Sequence, residues 1–235
     1  MKKALIVFAA VLIGTFVLLS VLGQKGEYLV EKKAWKLYQK HLDIAKDPAV
    51  IPDQTFEEVV AGYEKLIKRY PGSRLTPGLR IRLGEIYSLK KDYEKARQVF
   101  NEIIELYPQD QELSAEATFK IGKTYELAED WVKASQAYTS IITKYPETET
   151  ALGVPIYIVG YYRKLNDFQK TIEAYEIAIR YYKRTAADYP GKKVGLTALR
   201  LLSNCYLEQN RWQEAIDTLG SILEGYAASG FLTVK

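Results

Sequence analysis

One design recurs along this chain, and it restricts the fold more than any other feature. It is clearest in Leu83-Gly84-Glu85-Ile86-Tyr87, then Asp92-Tyr93-Glu94-Lys95-Ala96, Phe100, Ile103 and Tyr107-Pro108. It returns as Ile121-Gly122, Tyr125, Asp130-Trp131, Ala134, Tyr138, Ile141 and Tyr145-Pro146. A partial earlier copy reads Phe56, Val59, Tyr63, Leu66 and Tyr70-Pro71. Later copies read Tyr162, Asp167-Phe168, Thr171, Tyr175, Ala178, and Leu202, Tyr206, Trp212, Ala215, Leu219, Ile222, Tyr226. The aromatic residues Phe56, Tyr93, Trp131, Phe168 and Trp212 are spaced by 37, 38, 37 and 44 residues. A fixed period of this size marks a repeat array, in which each unit buries its apolar face against its neighbours.

Within a unit, apolar residues three and four apart predict two helices joined by a short turn. Pro71, Pro108, Pro146 and Pro190 cannot continue a helix and restrict the residue before them. Gly84 and Gly122 are expected where Ala96 and Ala134 of the second helix come close. Tyr87 and Phe100 are expected to fill the gap between the two helices.

These residues resemble the tetratricopeptide repeat, a helix–turn–helix unit. The resemblance covers roughly residues 55–226 and is most specific in repeats two and three. It implies an all-α fold, a right-handed superhelical solenoid of about five repeats. Repeat four departs from the pattern with Val159 at the glycine position and Gly160 one place late. Repeat five has Ser203 there and Ala227 in place of the final proline. The repeats exceed the usual ~34 residues. That length and the Tyr-Pro endings look like the bacterial envelope branch, which includes the BamD-like outer-membrane assembly lipoproteins and the Tol–Pal coordinator.

Residues 4–23 carry no charge and follow Met1-Lys2-Lys3. Roughly 20 apolar residues suffice to cross a bilayer as a helix, whereas a cleavable signal usually has ~7–15. Residues 1–23 are therefore read as an uncleaved signal-anchor, with cleavage after Val21-Leu22-Gly23 as the alternative. Lys2 and Lys3 favour a cytoplasmic N-terminus, and Lys25, Lys32, Lys33 and Lys36 oppose it. No cysteine lies near Gly23, so the lipid anchor of the resembled branch is missing and the inner membrane is favoured. The expected location is single-pass in that membrane with the solenoid in the periplasm, or secreted into the periplasm after cleavage. Residues 24–54 form a membrane-proximal helix and a Pro-containing loop. Residues 27–46 within them supply the first helix of repeat one, with Val30, Ala34, Leu37, Tyr38, Leu42 and Ala45 on one side. Thr55 is expected to cap the next helix with Glu58 three residues on. Repeat four is expected to start near Val154-Pro155, and its second helix to run from Asp167 to about Asp188. Residues 55–226 are the solenoid and 227–235 a tail. The last apolar face is covered by that tail, by another chain, or by further repeats of a longer protein.

The sequence holds no phosphate loop, HExxH, CxxC or GxSxG. One cysteine and one histidine argue against a disulfide framework and most zinc sites. Cys205 reads as a structural thiol and His41 as a surface or half-buried side chain. A net charge of +4 is too small for a nucleic-acid footprint. The reading is a non-enzymatic protein with no cofactor, metal, nucleic-acid or small-molecule substrate.

In the resembled family the first helix of each repeat lines a concave face. Carried over, this gives Ile81, Arg82, Glu85 and Ser88 in repeat two, and Phe119, Lys120, Lys123 and Glu126 in repeat three. Repeat four gives Ile156, Tyr157, Gly160 and Arg163, and repeat five Arg200, Leu201, Asn204 and Leu207. Lys120, Lys123, Arg163 and Arg200 make the groove mainly basic, with Glu85 and Glu126 interrupting it. None of the four cations is assigned to a core position. An extended or helical peptide of some acidic character suits such a groove. The paired lysine and asparagine of the chaperone-binding carboxylate clamp are not reproduced. Nineteen tyrosines are an unusual count, and thirteen occupy repeat positions. Tyr181 and Tyr182, beside the long helix of repeat four, read either as packing of that extension or as a second candidate partner-binding patch. The expected role is an adaptor holding protein partners of envelope assembly, secretion or cell-wall machinery. The alternatives are a structural solenoid self-assembling through its last repeat, and an accessory subunit of a membrane enzyme or the translocon.

Overall fold

The computed structural model describes the backbone of residues 2–227 and the side chains of residues 12–15 and 27–227. Among the described residues there are ten α-helices, one 3-10 turn (Pro48–Val50) and no strand. They fall into two compact units, residues 1–106 and 107–235.

The first unit holds α1 (Lys2–Lys46), α2 (Asp53–Arg69), α3 (Thr76–Leu89) and α4 (Tyr93–Leu106). Two helical hairpins stack here, α3 touching both α2 and α1. The core gathers Val30, Ile44, Phe56, Val59, Tyr63, Leu79, Leu83 and Ile86. The buried side of α1 turns through Val30, His41 and Ile44, while Leu42 and Ala45 are exposed. The expected stripe was therefore one residue out of phase at its C-terminal end. His41 is 6% exposed, with Nδ1 3.5 Å from the hydroxyl of Tyr63. It is a core histidine rather than a surface or half-buried one.

The second unit holds α5 (Gln111–Leu127), α6 (Trp131–Lys144), α7 (Glu149–Lys164), α8 (Phe168–Asp188), α9 (Lys193–Glu208) and α10 (Trp212–Tyr226). Each first helix packs on its own second helix, and α7 and α9 also rest on the hairpin before them. The central core joins Leu152, Val159, Tyr175, Ile179, Tyr182, Leu202, Cys205 and Tyr206. α8 has 21 residues against 14 in α6, so seven extra residues add nearly two turns.

Local chemistry explains the punctuation. Tyr70, Tyr145 and Tyr189 close α2, α6 and α8 outside the helical region (φ −131°, −131° and −126°), in line with the bias a following proline imposes against it. α10 lacks that proline, and Ala227 after it stays right-handed helical. Within the hairpins, Lys91, Glu129, Asn166 and Asn210 all take positive φ, between 55° and 64°. These equivalent positions let the chain reverse in a few residues. Asp110, Asp130 and Asp167 then cap the next helix, accepting from Leu113, Lys133 and Lys170 N–H.

Several expectations need correcting. α2 begins at Asp53 after Pro52, with no side-chain cap, so Thr55 is inside the helix and not its cap. α7 begins at Glu149, capped by Thr148, and Pro155 lies in its interior. Pro155 costs the helix one bond, the one to the Ala151 carbonyl. Gly84 and Gly122 face rings rather than the alanines. A Cβ on Gly84 would sit 2.4 Å from Phe100 Cε1, and one on Gly122 2.4 Å from Tyr138 Cε1.

Among the described residues no helix is long and apolar enough to cross a membrane. The expected transmembrane stretch 4–23 lies largely outside the described side chains, and the tail from residue 228 onward lies outside the described residues altogether.

Candidate functional site

The first helices of the repeats carry the predicted groove residues, so each unit has its own candidate face. In the first unit α1 and α3 enclose a cavity of about 460 Å³ lined by Trp35, Tyr38, Arg74, Leu79 and Arg82, among others. The Arg82 guanidinium lies 3.7 Å from the centre of the Tyr38 ring, a cation–π contact that flattens the arginine against the wall. Trp35 remains 62% exposed at the rim. Tyr38 and Trp35 were not among the predicted groove residues. The period-based carry-over starts at repeat two and skips α1, although α1 lines this face. Ile81, predicted for the groove, is 6% exposed and belongs to the interior.

In the second unit the face is built on α5 and α7. Lys123 Nζ donates to Glu126 Oε1 at 2.9 Å and to the Tyr157 hydroxyl at 2.7 Å. Tyr157 and Tyr138 each donate to Glu126 Oε2, at 2.5 and 2.8 Å. The Phe119 ring lies 5.1 Å from that of Tyr138 and 4.9 Å from that of Tyr157. Burial alone would raise the Glu126 carboxyl, but hydrogen bonds from Tyr157, Lys123 and Tyr138 leave it below its ordinary value. Burial would likewise depress the Lys123 ammonium, and the same bonds leave it above the usual lysine range. The network is a satisfied, half-buried ion pair closed by two phenols. Lys123 and Glu126 were expected as separate groove charges; here they neutralise each other.

Arg163 is engaged in the same way, bonded to Glu208 and to the Tyr175 hydroxyl. Burial and the Glu208 carboxylate push the Tyr175 phenol up to about 12. Arg200 and Asn204 are exposed on α9, and Lys120 is half-buried on α5. Glu85 is half-buried on α3. Two of the four cations expected in the basic groove, Lys123 and Arg163, are therefore compensated by carboxylates of the same unit.

The second candidate patch does not survive. Tyr182 is 0% exposed and donates to the Leu152 carbonyl at 2.7 Å. It is a core side chain, and Tyr181 lies partly buried beside it. Tyr161 instead stacks on Trp131, with ring centres 3.5 Å apart and planes within 1°. Trp131 Nε1 also donates to the Tyr162 hydroxyl at 2.8 Å. Of the thirteen repeat-position tyrosines, five are buried (Tyr63, Tyr138, Tyr175, Tyr206, Tyr226) and the rest half-buried, as wall residues of a repeat should be.

Nothing in these faces assembles a nucleophile with a base. Cys205 is fully buried, and burial raises its thiol to about 11, away from the reactive thiolate. Among the described residues no group of three or more His, Cys, Asp or Glu is placed to hold a metal ion.

Family models agree with this architecture. Tetratricopeptide repeat models match residues 77–110, 116–148 and 161–229. No curated protein matches the sequence. Among solved structures, BtubC (BKLC) from P. vanneervenii is 12% identical, with a TM-score of 0.41, covering 89% of this chain and 94% of that one. A putative kinesin light chain from Podosopora anserina, described as having nearly identical TPR-like repeats, is 13% identical with a TM-score of 0.40 over 84% of this chain and 98% of its own. MamA is 20% identical with a TM-score of 0.36, over 75% and 92%. The three matched segments cover more than half of the 235 residues, each ends within a few residues of an observed hairpin, and the chain belongs to the tetratricopeptide repeat family.

Proposed function

We propose that this protein is a non-enzymatic, membrane-anchored scaffold of the bacterial cell envelope, held by residues 4–23 with its repeats in the periplasm. In this reading it belongs with the BamD-like envelope branch but uses a signal-anchor in place of a lipid. Its partners are proteins, taken as extended or helical segments against the first helices of the repeats. The observation that carries the proposal is the α1/α3 cavity, where an exposed Trp35 and an arginine-stacked Tyr38 border apolar Leu79. Aromatic and arginine side chains around an open apolar pocket are the usual anchors of protein interfaces. The envelope placement rests on the uncharged stretch and on the Tyr-Pro repeat endings. In-cell crosslinking from a photoreactive amino acid at Trp35 tests it. A specific protein adduct from Trp35 and none from exposed Lys144 is expected. Equal adducts from both positions would discard the α1/α3 face as the binding site.

A second reading has its own observation. On α10, Trp212, Ile216, Leu219 and Leu223 are 57%, 61%, 44% and 64% exposed and fall along one side of the helix. Such a stripe fits the self-assembling solenoid, docked through its last repeat. Sedimentation of the purified chain over a hundredfold concentration range separates the two readings.

A further inference from the structure

The first unit has another concavity, on the face of α1 turned away from the α1/α3 cavity. α1 and α2 form a cleft of about 360 Å³ whose rim carries Lys33, Lys36, Lys40, Lys65 and Arg69, all exposed. Lys40 is bonded to Glu58 at 3.1 Å. Among the described residues the other four cations make no ion pair, and no acidic side chain lines the cleft. The acids of α1 on this stretch are turned elsewhere: Glu31 pairs with Arg74, and Glu27 accepts from Ser73 Oγ at 2.8 Å. The floor is apolar. Leu66 is 4% exposed, and Leu37 lies across Gly62, where a Cβ would come within 2.4 Å of Leu37 Cδ2. The stems of the lysines and the arginine carry the apolar wall up to the charged rim. Four uncompensated charges of one sign repel each other around the cleft, and an acidic counterpart relieves that repulsion.

The last helix carries the complement. Trp212, Ile216, Leu219 and Leu223 recur at steps of four, three and four residues, a straight apolar stripe about 16 Å long on the exposed side of α10. Along one edge of the stripe stand Asp217 and Glu224, both exposed and two turns apart, about 10 Å. α10 holds no lysine or arginine. Its third acid, Glu214, is bonded to Arg211, whereas Asp217 and Glu224 make no ion pair among the described residues. The lysine row of α1, from Lys33 to Lys40, spans the same seven residues, so a helix laid along α1 brings both carboxylates level with it.

We infer that α10 of one copy docks in the α1/α2 cleft of a second copy, its apolar stripe on Leu37 and Leu66 and its Asp217–Glu224 edge against the lysine row. The inference rests on the second reading above, self-assembly through the last repeat, and names the surface that receives it. Because stripe and cleft are different surfaces, the contact is heterologous, and docking continues until a ring closes or a filament grows. Charge selects this arrangement over a two-fold dimer of α10 stripes. Such a dimer would leave both acidic edges, and the four cations of each cleft, without a counterpart.

The test uses the full chain in a non-ionic detergent and follows its sedimentation over a hundredfold concentration range. Association should weaken as salt rises. The reversals D217K/E224K on α10 and K33E/K36E/K65E/R69E on the cleft should each weaken it by about tenfold or more. A chain carrying both sets should regain most of the lost affinity, a rescue that misfolding cannot produce. The pair K33E/K36E serves if the quadruple variant melts early. Crosslinking reads which surfaces meet. Ala61, one residue before Gly62, and Gln213, beside the stripe, are exposed, whereas Cys205 is buried. A short bis-maleimide should join A61C chains to Q213C chains in a mixture and leave either variant alone uncoupled. Q213C chains that couple to each other, with association lost in D217K/E224K but kept in the cleft variant, overturn the cleft alone and leave self-assembly through α10 standing. Two weakening reversals that fail to rescue each other also overturn the pairing. Association untouched by either reversal, or a monomer at every concentration, overturns the self-assembling reading and the inference with it.

Discussion

Replacing Gly122 with alanine tests the packing logic of the repeat most directly. The new methyl would stand 2.4, 2.8 and 3.0 Å from Cε1, Cδ1 and Cζ of Tyr138. That ring is 0% exposed, and its hydroxyl is tied to Glu126 at 2.8 Å, so it cannot swing aside freely. Overpacking of this kind costs about 1–3 kcal/mol. Alanine in a helix interior regains about 1 kcal/mol over glycine. The net expectation is a loss of up to about 2 kcal/mol, or up to roughly 4–8 °C in Tm for a chain of this size. Gly160→Ala is the control, because nothing lies within 4 Å of its added Cβ. It should stabilise by about 0.5–1 kcal/mol. Thermal and urea melts read both. In a Tyr138→Ala background the Gly122 penalty should vanish, since the obstructing ring is gone. The reasoning is refuted if Gly122→Ala raises Tm as Gly160→Ala does.

Three further outcomes follow from the same geometry. Glu126 has a depressed folded pKa, so its stabilisation is full above the unfolded carboxylate value of ~4.3 and lost as pH falls through the folded value beneath it. Lys123 has a raised folded pKa, so its share is full below the unfolded value of ~10.4 and lost as pH climbs through the folded value above it. Glu126→Gln should therefore flatten the acid limb of the Tm–pH curve, and superimposable acid limbs would remove the network from the stability account. Lys123→Glu sets a second carboxylate beside Glu126 and should cost about 1–2 kcal/mol, which unchanged urea midpoints would contradict. Glu129 holds φ at 62°, so Glu129→Gly should gain about 0.5–1 kcal/mol while Asn166→Gly changes little; equal gains at both positions would count against strain at Glu129.

Sequence alone determined where α2, α4, α6 and α8 stop, each before a proline, and where the hairpins turn. Those features depend on chemistry within a few residues: proline after tyrosine, and apolar side chains recurring with the helical period. The same period located the long α8 and marked Tyr63, Tyr138, Tyr175 and Tyr206 as interior. Where the local signal was ambiguous, the reading slipped by a turn or by a face. Pro155 looked like a helix start because a first-turn proline and an interior proline carry the same local mark, and Thr148, which caps α7, lies seven residues upstream.

Only the tertiary structure decided which side chains meet across repeats. Lys123 and Tyr157 are 34 residues apart, and Arg163 and Glu208 are 45 apart. Lys123 meets its carboxylate locally, three residues along α5, but the phenol that closes that pair comes from α7 and the carboxylate that pairs Arg163 comes from α9, and no period announces either. Tyr182 follows Tyr175, Ala178 and Ile179 at helical spacing, but its partner, the Leu152 carbonyl thirty residues upstream, appears only in the folded unit. The glycines show the division most plainly. A small residue at Gly84 and Gly122 is legible in the pattern, but its cause, a ring of the second helix lying flat against the backbone, exists only when both helices are in place. Helix ends follow from steric limits on adjacent peptides; partners follow from packing that brings distant segments into contact.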